Sequence, residues 1–248
     1  MNLSHRHTTV CILSLVALLG GSSCETSPEP PGDLAPAFAE FDSVNVSVVL
    51  NGARVTIESN GLPNHTSPYW SPDHPLFVEP TVTTRERMAP GYIDDFNGSY
   101  ALTVSASPLL ASSSRATGLG PIGIAVSGAM IYNDSEGPGR PLDWAIGSLD
   151  YVGAHTGPQS YHYHLEPIAW SEDDENLIGV MADGFFLYGR RDADGSHPDD
   201  LDSSGGHTGP TPHNADGEYH YHIQNQPYLG RYYILFPGDY QGTPSAIR

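Results

Sequence analysis

The chain has no lysine: all ten of its basic residues are arginine, set against 29 acidic residues, for a net charge of −19. That balance excludes a general nucleic-acid binder, which needs a basic patch to neutralise phosphates. It argues equally against a surface that seeks anionic lipid, and it favours cations as partners. Cysteine is nearly absent, with only Cys11 and Cys24 among 248 residues. No apolar run approaches the eighteen or so residues needed to span a bilayer as a helix. Gly 27 and Pro 22 leave little room for long helices and predict many turns.

The N-terminus reads as a leader. Arg6 lies in a segment without acids, Val10 to Leu19 form a short apolar core, and small residues lead to Cys24. This is the layout of a secretory signal peptide over residues 1–23. Cys11 would be removed with it, leaving Cys24 alone and no intramolecular disulfide. The position of Cys24 resembles the lipidated cysteine of a bacterial lipoprotein, although Gly21 stands where a bulky aliphatic residue is usual. The expected address is therefore the cell envelope, lipid-anchored at Cys24, with simple secretion as the alternative. Residues 24–43 read as a tether and 44–248 as one domain.

Within that domain the patterns are those of strands. Residues 44–50 and 53–58 flank Asn51-Gly52, a strong hairpin signal. Strand-like patches occur at 76–83 and 100–105. The runs 121–132 and 177–188 each read as two buried strands broken at a glycine turn, and 228–236 as a last strand. Residues 141–151 are the best helix candidate. The expected fold is mainly β: a single domain of antiparallel sheets with long loops and one or two short helices.

The chemistry lies in a repeat. Tyr161-His162-Tyr163-His164 and Tyr219-His220-Tyr221-His222 are identical, and each follows a His-Thr-Gly-Pro, at His155 and His207. In a strand, side chains alternate between faces. His162 and His164 then share one face, about 6.7 Å apart along the strand, and the tyrosines share the other. His220 and His222 repeat the arrangement, and His155 and His207 are placed to fold back as third ligands. Six histidines in two such modules predict a transition-metal site, shared or one per module, with copper or zinc as the suited ions. A hydrogen-bonded aromatic ladder and metal-free acid–base work are the competing readings. The acidic segment Asp192 to Asp202 is a candidate calcium loop, without the spacing of an EF-hand. Asp183 is either an ordinary turn residue before Gly184 or a carboxylate entering the histidine site, where it would be the candidate general base of a metal-dependent hydrolase or copper redox enzyme. A structural or adhesion module without metal is the remaining alternative. His65 lies in a polar loop and is undecided between surface and function.

The combination of SNGLPNH (Ser59 to His65), GAHTGPQSYHYH (Gly153 to His164), ADGFFLYG (Ala182 to Gly189), GGHTGP (Gly205 to Pro210) and the second YHYH resembles the bacterial YHYH protein family over roughly residues 44–244. The resemblance implies an intact exported or surface domain and carries no particular reaction with it. Relatives often have a cysteine pair near the positions of Leu201 to Gly206 and Arg231; this chain has none there.

Overall fold

The computed structural model describes residues 33–248; the segment read as a leader, with Cys11, and the anchor candidate Cys24 lie outside them. Thirteen strands carry the fold: β1 (Val46–Asn51), β2 (Arg54–Ser59), β3 (Tyr100–Ser105), β4 (Gly123–Ala125), β5 (Met130–Ile131), β6 (Ser135–Gly137), β7 (Arg140–Pro141), β8 (Ala154–Thr156), β9 (Tyr161–Tyr163), β10 (Leu177–Met181), β11 (Phe186–Tyr188), β12 (Gly206–Thr211) and β13 (Asn214–His222). The fold is mainly β, as expected. The only helical pieces among the described residues are three short 3-10 turns. None of the described helices is long and apolar enough to cross a membrane.

Strands β1 to β3 form an antiparallel sheet whose alternation buries Val55 and Ile57 of β2 with Leu102 and Val104 of β3. Period-two burial of this kind is what a half-covered sheet requires. Each such side chain contributes about 1.5–3 kcal/mol by leaving water. These residues join one core cluster with the apolar residues of the large sheet.

The large sheet has eight strands in the order β12-β13-β11-β10-β4-β5-β9-β8. It is mixed, because β5 pairs parallel to β9 and β11 parallel to β13. The order is palindromic. Ile122-Gly123 and Ile178-Gly179, Ser127-Gly128 and Asp183-Gly184, and Tyr132 and Tyr188 recur at identical spacing. At the centre Ile124 pairs with Val180, its own counterpart, flanked by Gly123 with Met181 and Ala125 with Gly179. The outer registers match as well: Ile131 pairs Tyr163 as Leu187 pairs Tyr221, and His155 pairs His162 as His207 pairs His220. The duplication thus extends beyond the histidine modules to the whole sheet, about a two-fold axis normal to its centre. The central strands approach so closely that a Cβ on Gly179 would lie 2.2 Å from the Ile124 carbonyl oxygen.

Three expectations are corrected. Residues 141–151 are not a helix; only Leu142–Trp144 makes a 3-10 turn. Leu142, Ala145 and Leu149 do bury, but against Leu165 in a small separate cluster, and the helix-like spacing reflects that patch. Residues 228–236 are not a strand, because Leu229 and Gly230 take positive φ and turn the chain, leaving isolated bridges from Tyr228 to Tyr232 and from Leu165 to Ile234. The patch at 76–83 reduces to one bridge, Ser67 to Phe77, between Pro75 and Pro80. At the other end, Ala37, Phe38 and Phe41, within the segment read as tether, are buried in the core.

Candidate metal centres

Alternation along β9 and β13 sorts the tetrapeptides as the sequence predicts. The tyrosines turn into the core and anchor there. Tyr161 donates to Asp150 Oδ2 at 2.6 Å and Tyr219 to Asp202 Oδ2 at 2.8 Å. Asp150 Oδ1 also accepts the backbone N–H groups of Val152 and Ala154, as Asp202 Oδ1 accepts those of Ser204 and Gly206. Each aspartate therefore ties the turn before the HTGP histidine to the YHYH strand. Tyr163 meets Ser127 Oγ at 2.8 Å, and Tyr221 donates to Asp183 Oδ2 at 2.6 Å.

On the opposite face the histidines form two groups. His155, His162 and His164 make one; His207, His220 and His222 with Asp192 make the other, with ligand atoms within 4.8 Å of one another in each. Four strands lie between β9 and β13, which puts the groups five strand spacings or about 24 Å apart along the sheet, so they are two sites and not one. Neighbouring positions are shaped to fit the rings. A Cβ on Gly157 would lie 2.7 Å from His162 Cε1.

Hydrogen bonding assigns a proton to Nδ1 of every ring. Nδ1–H donates to the carbonyl of Ser160 from His162, of Asn133 from His164, of Glu218 from His220 and of Gly189 from His222. His207 Nδ1–H donates to Asp200 Oδ1 at 2.6 Å. Ser148 Oγ spends its proton on the Ala145 carbonyl and so accepts from His155 Nδ1–H at 2.8 Å. With the proton of a neutral ring on Nδ1, its Nε2 is a bare lone pair, and burial favours that neutral form for His155, His162, His164, His220 and His222. Yet Nε2 atoms approach to 3.1 Å between His155 and His162, 3.2 Å between His207 and His220, and 2.9 Å between His220 and His222. Nitrogens about 2.0–2.1 Å from a common ion stand roughly 2.9–3.4 Å apart, according to the angle between them.

A carboxylate completes each set. Asp192 Oδ1 lies 3.1 Å from His207 Nε2 and 3.3 Å from His222 Nε2. Glu136 Oε2 lies 3.6 Å from His155 Nε2 and 3.5 Å from His164 Nε2. Each follows the matching tyrosine, Tyr188 or Tyr132, by four residues. Sequence reasoning missed Glu136 and named Asp192 only as the start of the candidate calcium loop; aligning the two halves on those tyrosines would have brought both to the histidine sites. His164 Nε2 and Asp192 Oδ1 are buried without a hydrogen-bond partner. Burial lowers His155 to about 3 and His164, His220 and His222 to about 4, and it holds His162 well below the ordinary value. Burial also raises Glu136 and Asp192. Acceptors face acceptors throughout. One proton satisfies one such pair, whereas a cation satisfies all of them.

Other candidates lie elsewhere. Asp183 is on the tyrosine face, held by Tyr221, Gly242 N and Phe185 N, and joins neither histidine group; it is the counterpart of Ser127. His65 accepts from Tyr163 OH at 2.7 Å and braces that anchor. Among the described residues the acidic segment Asp192 to Asp202 forms no grouping of its own. Asp194 turns to Ser196, Asp200 to His207 and Asp202 to Tyr219, leaving Asp192 for the histidines.

No curated protein and no solved structure matches the chain. A family model does, over a narrower span than the motifs suggest: it includes the first YHYH and its three histidines and ends before the second. That model is described as YHYH protein and matches residues 101–199, so this chain carries a YHYH domain.

Proposed function

We propose that the chain is an exported protein that binds one transition-metal ion, copper or zinc, at each of two separate sites. The first is His155, His162 and His164 with Glu136; the second is His207, His220 and His222 with Asp192. The observation that carries this reading is the convergence of bare Nε2 atoms whose Nδ1 protons are already committed. A hydrogen-bonded ladder accounts for the Nδ1 contacts and leaves the Nε2 contacts unexplained. The donor set is imidazole and carboxylate without thiolate, which suits zinc or copper.

Elemental analysis of the chain purified without a histidine tag tests it. The expected result is two equivalents of copper or zinc, a lower unfolding midpoint after chelation, and one equivalent in the double variant His162→Ala, His164→Ala. Absence of metal, with an unchanged midpoint on adding each ion, makes the modules architecture and rejects the reading.

Export and anchoring rest on the leader and Cys24, outside the described residues. In this reading the two sites work in the cell envelope. Cys24→Ser is expected to move the protein from the membrane to the soluble fraction; unchanged fractionation rejects the anchor.

A further inference from the structure

We propose that the first site, and not the second, takes a small anion as an additional ligand to its metal. This rests on the metal-binding reading and adds to it a division of labour between the halves. Two observations support it. A cleft of about 200 Å³, lined by Leu119, Tyr132, Glu136, Gln159, His162 and His164, opens onto the first group of ligands. That is room for about six waters at liquid volume, enough for a carbonate or a short carboxylate. Tyr132 forms an aromatic wall, stacked on His162 with ring centroids 3.8 Å apart.

The second observation is charge. His155 leans on the neutral Ser148 hydroxyl, whereas His207 in the matching position leans on the Asp200 carboxylate. A divalent ion with three neutral imidazoles and Glu136 leaves the first site at +1. The same ion with Asp192 and Asp200 leaves the second at zero. Asp194 adds further negative field there. An incoming anion is therefore attracted at the first site and gains no net charge interaction at the second. The carboxylate behind His207 also makes that ring the more basic ligand, which reduces the metal's demand for another donor.

The test is titration of the copper(II)-loaded full chain with azide, following the ligand-to-metal charge-transfer band. One azide per chain is expected with two coppers bound. The double variant His162→Ala, His164→Ala should lose the band and keep one copper. At copper concentrations that load both sites, Ser148→Asp should weaken azide binding by about ten-fold, and Asp200→Asn should admit a second azide. If neither site holds copper, the metal reading fails and this inference with it. If two coppers bind but azide binds at neither site, binds equally at both, or survives removal of His162 and His164, this inference alone is overturned.

Discussion

At the scale of single residues, the two halves solve one problem with different chemistry. Each YHYH strand needs its second tyrosine hydroxyl anchored in the core, and Ser127 serves Tyr163 where Asp183 serves Tyr221. A hydrogen bond to a charged group is worth about 1.5–3 kcal/mol, against about 1 kcal/mol for a neutral one. Tyr221→Phe leaves a buried carboxylate short of its strongest donor, and burial already pushes Asp183 above its ordinary value. Tyr163→Phe leaves only Ser127 and His65, both neutral partners. Denaturant unfolding should show Tyr221→Phe the more damaging of the two, by about 1–2 kcal/mol. Equal losses, or the reverse order, would reject the anchoring role given to Asp183. That role also shows how far sequence reaches at this scale. Asp183 before a glycine is compatible with a turn, an anchor or a base, and only the partner across the sheet, 38 residues away, decides.

At the scale of elements, what was legible depended on the range of the interactions. Tyr-His-Tyr-His announces a strand because the residue types alternate with the strand's own period. The HTGP histidine then meets its partner across a short antiparallel pairing, His155 with His162 and His207 with His220, which lies close in sequence for the first module. Both three-histidine sets were therefore visible in the residues, as alternatives to one shared site. The carboxylates were not, because Glu136 and Asp192 arrive from segments that reach the site only through the parallel pairings of β5 with β9 and β11 with β13. Strand order in a mixed sheet is set by long-range packing, and the sequence pattern suggested antiparallel pairing throughout. The supposed helix and final strand failed for a related reason. Leu142, Ala145 and Leu149 show helical spacing, and residues 228–236 are rich in aromatics, yet each packs as a loop held by distant contacts.

For the molecule as a whole, five histidines that burial holds as neutral rings give the fold a dependence on acidity. Those whose values burial lowers to about 3 or 4 take up protons near their ordinary 6.5 once unfolded. Between those limits these rings bind more protons in the unfolded chain than in the folded one, so their contribution makes stability rise with pH and fall as pH drops. The metal-free protein should therefore show a thermal midpoint that declines from about pH 6.5 toward about pH 4. A flat midpoint across that window would mean that the rings are not held neutral. The same architecture has a consequence for how two unlike sites came to share one sheet. The central pairing of Ile124 with Val180 is self-complementary, the isologous contact by which two identical half-length chains would associate. In such a homodimer any change at one site appears at the other, since both are encoded once. Joining the halves in one polypeptide removes that identity while keeping the contact, and it lets a serine stand behind one metal ligand and an aspartate behind its twin.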